Sequence, residues 1–569
     1  MTRWILFLSL LAAVGAPALV RAQSDHIERL EKLVEQAQSI PNARPINPAF
    51  LDYIERLKAG DQAFYTGETM PHATGYVPSL FAKPSLEAEE SPILRKAPLP
   101  AQFDLRPDGV TPAKNQGQCG SCWAFASIGS LESSIKLATG EEMDLSENHL
   151  KNSLLPESDP CDGGNTFNVA YYTSRGIGPV LESDDPYVPD STDSSPSGLS
   201  PARLVTEFVE LPFYRNEVTR DEVKQMIMTY GAVTSSLYFD QVGDSYNEST
   251  NSYYYAGEFS EETNHAVLLV GWDDNYAASN FSTPPAGDGA WIAKNSWGEE
   301  WGDNGFYYLS YYDSIVGFEA LAFSKSVAPE TVDDVYELAQ DGWLSSWGDG
   351  DEDFGAITIT ARNDAYLKGI GIDIFGANTR YAVTVYKNQI EGDHLSGDAQ
   401  PTMEGTFSYA GYSTVDLGDL PITAGEIVTI VVETHTASYE DVSLGTIRVP
   451  SVPTMWLYDE SESLQWTPGQ SYFSNDGVTW TDFAELGDET SGMHIAYRVF
   501  AGDEPGGMED PADDTDNSDD TENDDDPDNT NGETDTDGET YGDPDEGCGC
   551  TTLGNQTETT GLLTLLFGI

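Results

Sequence analysis

Ten residues constrain this chain more than any other stretch: Gln116-Gly-Gln-Cys119-Gly-Ser-Cys122-Trp-Ala-Phe125. They run without a break into Ala124, Ile128, Leu131, Ile135 and Ala138, which alternate four and three apart, and Gly140 follows as a stop. The spacing predicts a helix with Cys122 in its first turn. Unpaired backbone N–H groups and the positive end of the helix dipole favour an anion there, so a thiol at that place ionises more easily. The thiolate is the nucleophile, so the stretch is suited to a reactive cysteine.

The segment resembles the active-site cysteine motif of the papain family of cysteine peptidases. Three further stretches continue the resemblance in the same order along the chain. Cys161-Asp-Gly163-Gly164 is similar to the family's C-x-G-G loop, and Asn264-His265-Ala-Val-Leu-Leu-Val-Gly-Trp272 to its histidine strand. Ala293-Lys-Asn295-Ser-Trp297-Gly-Glu-Glu-Trp301-Gly-Asp-Asn-Gly305 is similar to its asparagine loop. The resemblance spans residues 99–325 and leaves both ends of the chain to be read separately. It implies an α+β fold, a two-lobed papain-like domain with one helical lobe and one β-barrel-like lobe and a cleft between them.

A chain of 569 residues exceeds one core and implies two to three domains plus non-globular parts. Met1-Thr-Arg3, the apolar run Trp4 to Val14 and Val20-Arg-Ala22 read as a secretory signal peptide over residues 1–22. The apolar run is short of the ~20 residues a membrane-spanning helix needs. Acidic residues outnumber basic ones 96 to 27, a formal charge of −69, which argues against nucleic acid as a partner. The tail 503–546 has no Lys or Arg, yet most of the imbalance lies in the folded parts. Such a surface suits saline or calcium-rich surroundings, or serves solubility alone.

Five cysteines are an odd number for an exported protein and flag a free thiol. The resemblance implies that Cys119 pairs with Cys161 and leaves Cys122 free, with Cys548 and Cys550 in the tail. Cys119 and Cys122 as half a zinc site would need a second Cys or His pair at ligand spacing, and the sequence has none. No metal and no cofactor are expected.

Residues 23–98 read as a segment placed like a propeptide. Charged amphipathic helices are predicted from His26 to Gln38 and from Pro48 to Lys58, and Pro71 to Pro78 reads as extended chain. In the papain family such segments cover the cleft and keep a zymogen silent. The family's long helical signature with interspersed Glu, Arg, Phe, Asn and Ile is not evident here, so a folding aid or a permanent part of the enzyme are the alternatives. Ser146 is expected to cap a short helix, on which His149 reads as a surface histidine. Helices are also predicted over residues 165–175 and 221–230, and Ala232 to Tyr238 begins the β half.

Alternating runs such as Tyr381-Ala-Val-Thr-Val-Tyr386 and Ile427-Val-Thr-Ile-Val-Val-Glu433 predict an all-β sandwich over residues 331–501. The domain order resembles bacterial secreted peptidases with a lectin-like domain, which implies a glycan or cell-surface ligand. Trp343, Trp347, Trp456, Trp466 and Trp480 are the candidate stacking residues, although aromatics are more often core. Residues 502–546 cannot bury a core and read as a disordered acidic linker. Residues 547–569, with Gly547-Cys548-Gly-Cys550, are similar to Cys-containing sorting tails and imply membrane or cell-surface attachment.

The chemistry implied by the resemblance is peptide hydrolysis through a thioester on Cys122, with His265 as acid and base, Asn295 orienting its ring, and Gln116 in the oxyanion hole. Trp297 would shield the histidine–asparagine bond, and Gly163 and Gly164 would pair with an extended protein or peptide substrate. By analogy Asn165, Thr166, Ser236 and Thr263 line the main side-chain pocket, a more polar set than the family's usual aliphatic and aromatic lining. The alternative is a catalytically silent or transpeptidase-like surface protein whose β domain binds glycans or protein partners.

Overall fold

The computed structural model describes residues 26–35, 38, 46–59, 71–80, 98–153, 160–174, 176–189, 194–211, 217–257, 263–317, 319–337, 343–347, 353–387, 390–391, 393–435, 439–441, 445–447, 452–456, 468–485 and 493–508. The signal peptide and the sorting-like tail read from the sequence, and all of the acidic linker beyond residue 508, lie outside the described residues.

Residues 26–35 are helical, and helix α1 (Pro48–Ala59) follows, burying Phe50, Tyr53, Ile54 and Leu57. That spacing is one helical face. With Leu33, Val34 and Leu80, two of these side chains, Phe50 and Ile54, make a small core of their own.

Helix α2 (Cys122–Thr139) ends as the sequence predicts, at Gly140 in the left-handed region, whose N–H donates to the Lys136 carbonyl at 2.9 Å. The stripe of apolar residues predicts one buried face, yet every residue from Cys122 to Ile135 is buried. The polar face is covered as well because its hydroxyls find carbonyls: Ser130 Oγ donates to Ala232 O at 2.6 Å and Ser133 Oγ to Gly109 O at 2.7 Å. The helix is therefore the central post of the domain. Helices α3 (Glu147–Asn152), α4 (Thr166–Ser174) and α5 (Glu217–Tyr230) surround it. Ser146 caps α3, its Oγ accepting the His149 N–H at 2.9 Å. His149 itself corrects the surface reading: it is buried, with Nδ1 2.8 Å from the Tyr172 hydroxyl, because α4 packs over that face.

The main strands of the β half pair antiparallel. Strands β1 (Leu204–Leu211), β2 (Val233–Leu237), β3 (His265–Asp273), β4 (Ala290–Lys294), β5 (Phe306–Ser310) and β6 (Ala320–Val327) lie in the spatial order β1-β6-β2-β3-β4-β5. Strands β2, β3 and β4 are almost wholly buried, as the apolar runs of β3 and β4 require; β2, Val-Thr-Ser-Ser-Leu, is buried with its hydroxyls between neighbouring strands.

Beyond them come β7 (Asp334–Glu337), β8 (Asp353–Thr360), β9 (Ala365–Ile374), β10 (Thr379–Tyr386), β11 (Ala410–Ile422), β12 (Ile427–His435) and β13 (Arg498–Gly502). The order β7-β13-β9-β11 forms one sheet, and β10-β12-β8 is the centre of a second. Ile357, Ile359, Val383, Val385, Val428 and Ile430 of the second sheet meet Leu367, Ile370, Ile372 and Val499 of the first. These residues alternate along their strands, so the predicted β-sandwich forms from the pleat alone. Trp480 is 3% exposed and packs with Ala356, Val431 and Tyr472, which corrects its reading as a stacking platform. Trp466, and the side chains of Trp343, Trp347 and Trp456, lie outside the described part of the chain.

No sequence pattern announces how the two halves join. The start of β11 pairs antiparallel with β1, placing Gly411 opposite Val209 and Tyr412 opposite Phe208, so one sheet runs through both halves. Gly411 has φ 136°, and a Cβ there would lie 2.2 Å from the Phe208 carbonyl oxygen. Replacing Gly411 by valine is expected to force this junction apart and destabilise it by about 2 kcal/mol or more. A lower thermal midpoint with an early transition checks this; an unchanged melting curve refutes it.

Candidate active site

Cys122 is the first residue of α2 and has no exposed surface. Ser121 before it gives the helix no side-chain cap, its Oγ lying instead 2.7 Å from the Tyr187 hydroxyl. The backbone N–H groups of Trp123 and Cys122 at the helix start, and of Ala266 on β3, act on the sulfur and favour its ionisation. Burial is the larger effect and pushes the thiol up to about 12.

His265 opens β3 and faces the helix across the cleft. Its Nε2 lies 2.8 Å from Asn295 Oδ1, and the Ser296 N–H donates to the same oxygen at 2.8 Å. An oxygen fixed as acceptor requires Nε2 to carry the proton, which leaves the lone pair on Nδ1. Nδ1 is buried and has no hydrogen-bond partner among the described residues. Burial drives the imidazole down to about 4, against the Asn295 hydrogen bond, which raises it. Trp297 stacks on the His265 ring at 4.8 Å and so covers the histidine–asparagine bond from one side.

Gln116 is wholly buried between the two walls. Its Nε2 donates to Cys119 O at 2.8 Å, its Oε1 accepts from Ser296 Oγ at 2.5 Å, and its N–H donates to Ser296 O at 2.9 Å. Cys119 is joined to Cys161 by a disulfide, which ties the loop before the nucleophile to the loop carrying Gly163 and Gly164.

The cleft is occupied by the chain's own residues 71–80. The Gly75 and Tyr76 N–H groups donate to Asn264 O at 2.9 and 3.0 Å; the Gly164 N–H donates to Gly75 O at 3.0 Å, and the Val77 N–H to Gly164 O at 3.1 Å. The pairing with Gly164 is parallel. A side chain at Gly75 would sit 2.3 Å from the Gly120 carbonyl oxygen, so only glycine lets the segment come this close to the nucleophile's loop. His72 stacks on Trp297 at 4.6 Å, and Trp297 Nε1 donates to Ala73 O at 2.9 Å. Gln241 brackets the backbone of His72, accepting its N–H at 3.0 Å and donating to its carbonyl at 2.9 Å.

Tyr76 lines a small cavity together with Trp123, Ala126, Ser127, Asn165, Thr166, Ser236 and Glu319, and its hydroxyl donates to Glu319. Asn165, Thr166 and Ser236 thus stand together in it, with the apolar surfaces of Trp123, Ala126 and Ala266 beside them. Thr263 is not part of it; it is buried beside Asn264, whose carbonyl holds the segment by its backbone. Sequence reasoning missed Glu319. An acidic residue ahead of an apolar strand carries no local signal, and only the fold turns it into the cleft.

Fold and site together define the class: a helical half and a β half with a cysteine at a helix start and a histidine–asparagine pair across the cleft, followed by a β-sandwich. Residues 99–325 match the family described as papain family cysteine protease, and residues 335–497 match the lectin like domain, so this chain carries a papain-family domain followed by a lectin-like domain. It is 34% identical over 245 residues to an Arabidopsis thaliana protein described as probable cysteine protease RD19B, covering 41% of this chain and 64% of that one. Cathepsin K of Gallus gallus is 36% identical over 213 residues, covering 37% of this chain and 59% of its own length. This chain thus spans about three-fifths of the curated relatives it matches, 64% and 59%. The fold is similar to the cysteine protease and lectin-like domains of Cwp84, a surface layer associated protein of Clostridium difficile, with TM-score 0.64, 24% identity and coverage of 81% of this chain and 98% of that one. A form of Cwp84 after propeptide cleavage gives TM-score 0.59 at 24% identity and covers 71% of this chain and 99% of that one.

Proposed function

We propose that this protein is a cysteine endopeptidase held as a zymogen by residues 71–80. One observation carries the reading: an extended stretch of peptide already lies over Cys122 and His265, paired by its backbone to Gly164 and Asn264. A cleft that binds peptide main chain beside a thiol and an oriented imidazole is equipped for amide chemistry.

With the segment in place, burial keeps the thiol and the imidazole neutral, because it raises one and lowers the other. Departure of the segment admits water and removes that cause, so the proton passes from Cys122 to His265 Nδ1. The thiolate then attacks the scissile carbonyl carbon, and its oxygen takes the negative charge near Gln116 and the Cys122 N–H. His265 returns the proton to the leaving nitrogen as the C–N bond breaks, and a thioester remains on Cys122. Water, deprotonated by His265, attacks the thioester; the acid leaves and the thiol–imidazole pair is restored. Asn295 keeps Nδ1 aimed at the sulfur throughout.

The substrates in this reading are proteins or peptides, and the lectin-like domain supplies a carbohydrate-binding or surface-binding function. The disulfide fits an oxidising compartment, and Cwp84 is surface layer associated, so we place the protein outside the cell or on its surface. Labelling with an epoxide probe for papain-like cysteines, before and after mild acid or protease treatment and with Cys122→Ala alongside, tests the proposal. Labelling that follows treatment and vanishes in the variant supports it. A treated protein whose Cys122 takes no probe sinks it.

The zymogen reading makes its own prediction. Tyr76→Ala removes a buried aromatic anchor worth roughly 3 kcal/mol, so probe labelling of the untreated full chain is expected to rise tenfold to about a hundredfold. In the unaltered chain labelling stays slow from neutral to mildly alkaline pH, since a thiol held near 12 is still protonated there. Equal labelling rates for the two proteins would show that residues 71–80 do not guard the thiol.

A further inference from the structure

We infer that the crevice where the peptidase half meets the β-sandwich is a saccharide site, built jointly by the two, for the end of a neutral or amino-sugar glycan. This rests on the carbohydrate-binding reading of the lectin-like domain and gives that reading a place and a charge preference.

The crevice has a volume of about 330 Å³, within the range of about 300–1,000 Å³ usual for small-ligand sites. It lies on one face of the sheet that runs through both halves. Side chains alternate along β1 and β11. Phe208 and Tyr412 stack at 5.9 Å and belong to the core that contains Cys122, whereas Glu207 and Ser413, opposite each other in the register, face the crevice. One wall is α5, through Met226 and Tyr230; the other is residues 406–409, between β10 and β11. Ile374 and Phe407 of the sandwich core reach the same space. Neither half encloses it alone.

The polar groups are held in place before any ligand arrives. Ser324 Oγ donates to Glu207 Oε1 at 2.7 Å and so orients the carboxylate, while among the described residues Oε2 accepts no hydrogen bond. Burial, and then the Glu207 charge, hold the Tyr230 phenol above its ordinary range, so it remains a donor. Thr406, Ser408 and Ser413 add hydroxyls, and the half-buried Tyr230 and Tyr409 add ring surface. A sugar needs this combination, because its C–H face packs on apolar and aromatic surface while its hydroxyls both donate and accept. The free carboxylate oxygen gives those hydroxyls a charge-assisted acceptor.

Charge narrows the class. No lysine, arginine or histidine lines the crevice among the described residues, so an acidic sugar would meet Glu207 with nothing to neutralise it. The ammonium of an amino sugar would be attracted. An extended peptide fits less well: β1 lies between β6 and β11 and offers no free strand edge for backbone pairing.

The test is titration of the full-length chain, followed by saturation-transfer NMR, with glucose, mannose, galactose, glucosamine, N-acetylglucosamine, cellobiose and chitobiose, and with glucuronic acid as the anionic comparison. At least one neutral or amino sugar is expected to bind, and to be preferred over glucuronic acid by about tenfold or more. Glu207→Gln keeps an oxygen for Ser324 but loses the charge, so it narrows that preference while melting and epoxide labelling stay parental. Ser413→Trp fills the crevice and lowers affinity by about tenfold or more. Binding that a folded Glu207→Gln and a folded Ser413→Trp protein both leave unchanged overturns this site and leaves the carbohydrate reading of the domain standing. No binding by any sugar of the set overturns both, and labelling of Cys122 reports on the peptidase reading independently.

Discussion

Replacing His265 by alanine in the activated protein is expected to lower kcat/KM for peptide cleavage by about 10⁴-fold or more. The size follows from the number of steps that pass through one ring. In the proposed mechanism His265 takes the proton from Cys122, gives it to the leaving nitrogen and takes another from water, and groups that act as a unit fail together. The geometry behind this is the Asn295 oxygen, fixed as an acceptor by the Ser296 N–H, which commits the His265 Nε2 to donate and leaves Nδ1 free to act as a base. The loss should fall on kcat, with circular dichroism and melting temperature close to those of the parent, and labelling of Cys122 should slow in step. A folded His265→Ala protein that retains more than a tenth of the parent kcat would remove His265 from the chemistry.

Gln116→Ala is expected to cost on the order of 10²–10³-fold in kcat with little change in KM. Gln116 lies between the nucleophile's loop, through Cys119 O, and the asparagine loop, through Ser296. Its amide N–H₂ is the group proposed to meet the oxyanion, a charge that exists only as the reaction proceeds, so its removal leaves substrate binding alone. A purely structural Gln116 would give the same loss by letting the loops drift. Gln116→Glu, read by rate and melting together, separates the two: it keeps an oxygen for Ser296 but has no donor for an oxyanion or for Cys119 O, so a structural role would show in its melting curve. If the glutamate variant is as slow as the alanine one while melting like the parent, the donor role stands. Parental kcat in the glutamate variant would assign Gln116 to architecture.

How much of this site was legible beforehand follows from how far each feature depends on distant residues. The helix from Cys122 to Gly140, the cap at Ser146 and the alternation of Val428 and Ile430 are local, since helical spacing, a hydroxyl at a helix start and a two-residue pleat act within a few residues. The resemblance supplied Cys122, His265, Asn295 and Gln116, and in the structure these residues converge on one cleft. His149 was misjudged, and Trp480 could be placed in the core rather than at a stacking surface only by the fold, because burial is set by what packs on top, α4 in one case and the second sheet of the sandwich in the other.

Three things were decided only by the tertiary structure. One is the sheet shared by β1 and β11, because an exposed strand edge accepts any partner and sequence does not name it. Another is the path of residues 71–80: two prolines made that segment extended, but its backbone hydrogen bonds go to Asn264 and Gly164, residues far along the chain. The last is Glu319, an unremarkable acid in sequence, which the register of β2 against β3 and β6 buries at the foot of a pocket. Sequence by itself pointed to Cys122 as the candidate nucleophile, to His265 and Asn295 as its partners and to the local elements that carry them, because those rest on short-range rules and recurring motifs. What closes the cleft is set by contacts between residues far apart in the chain, Gly75 with Gly164 and Tyr76 with Glu319, and only the folded chain brings these together.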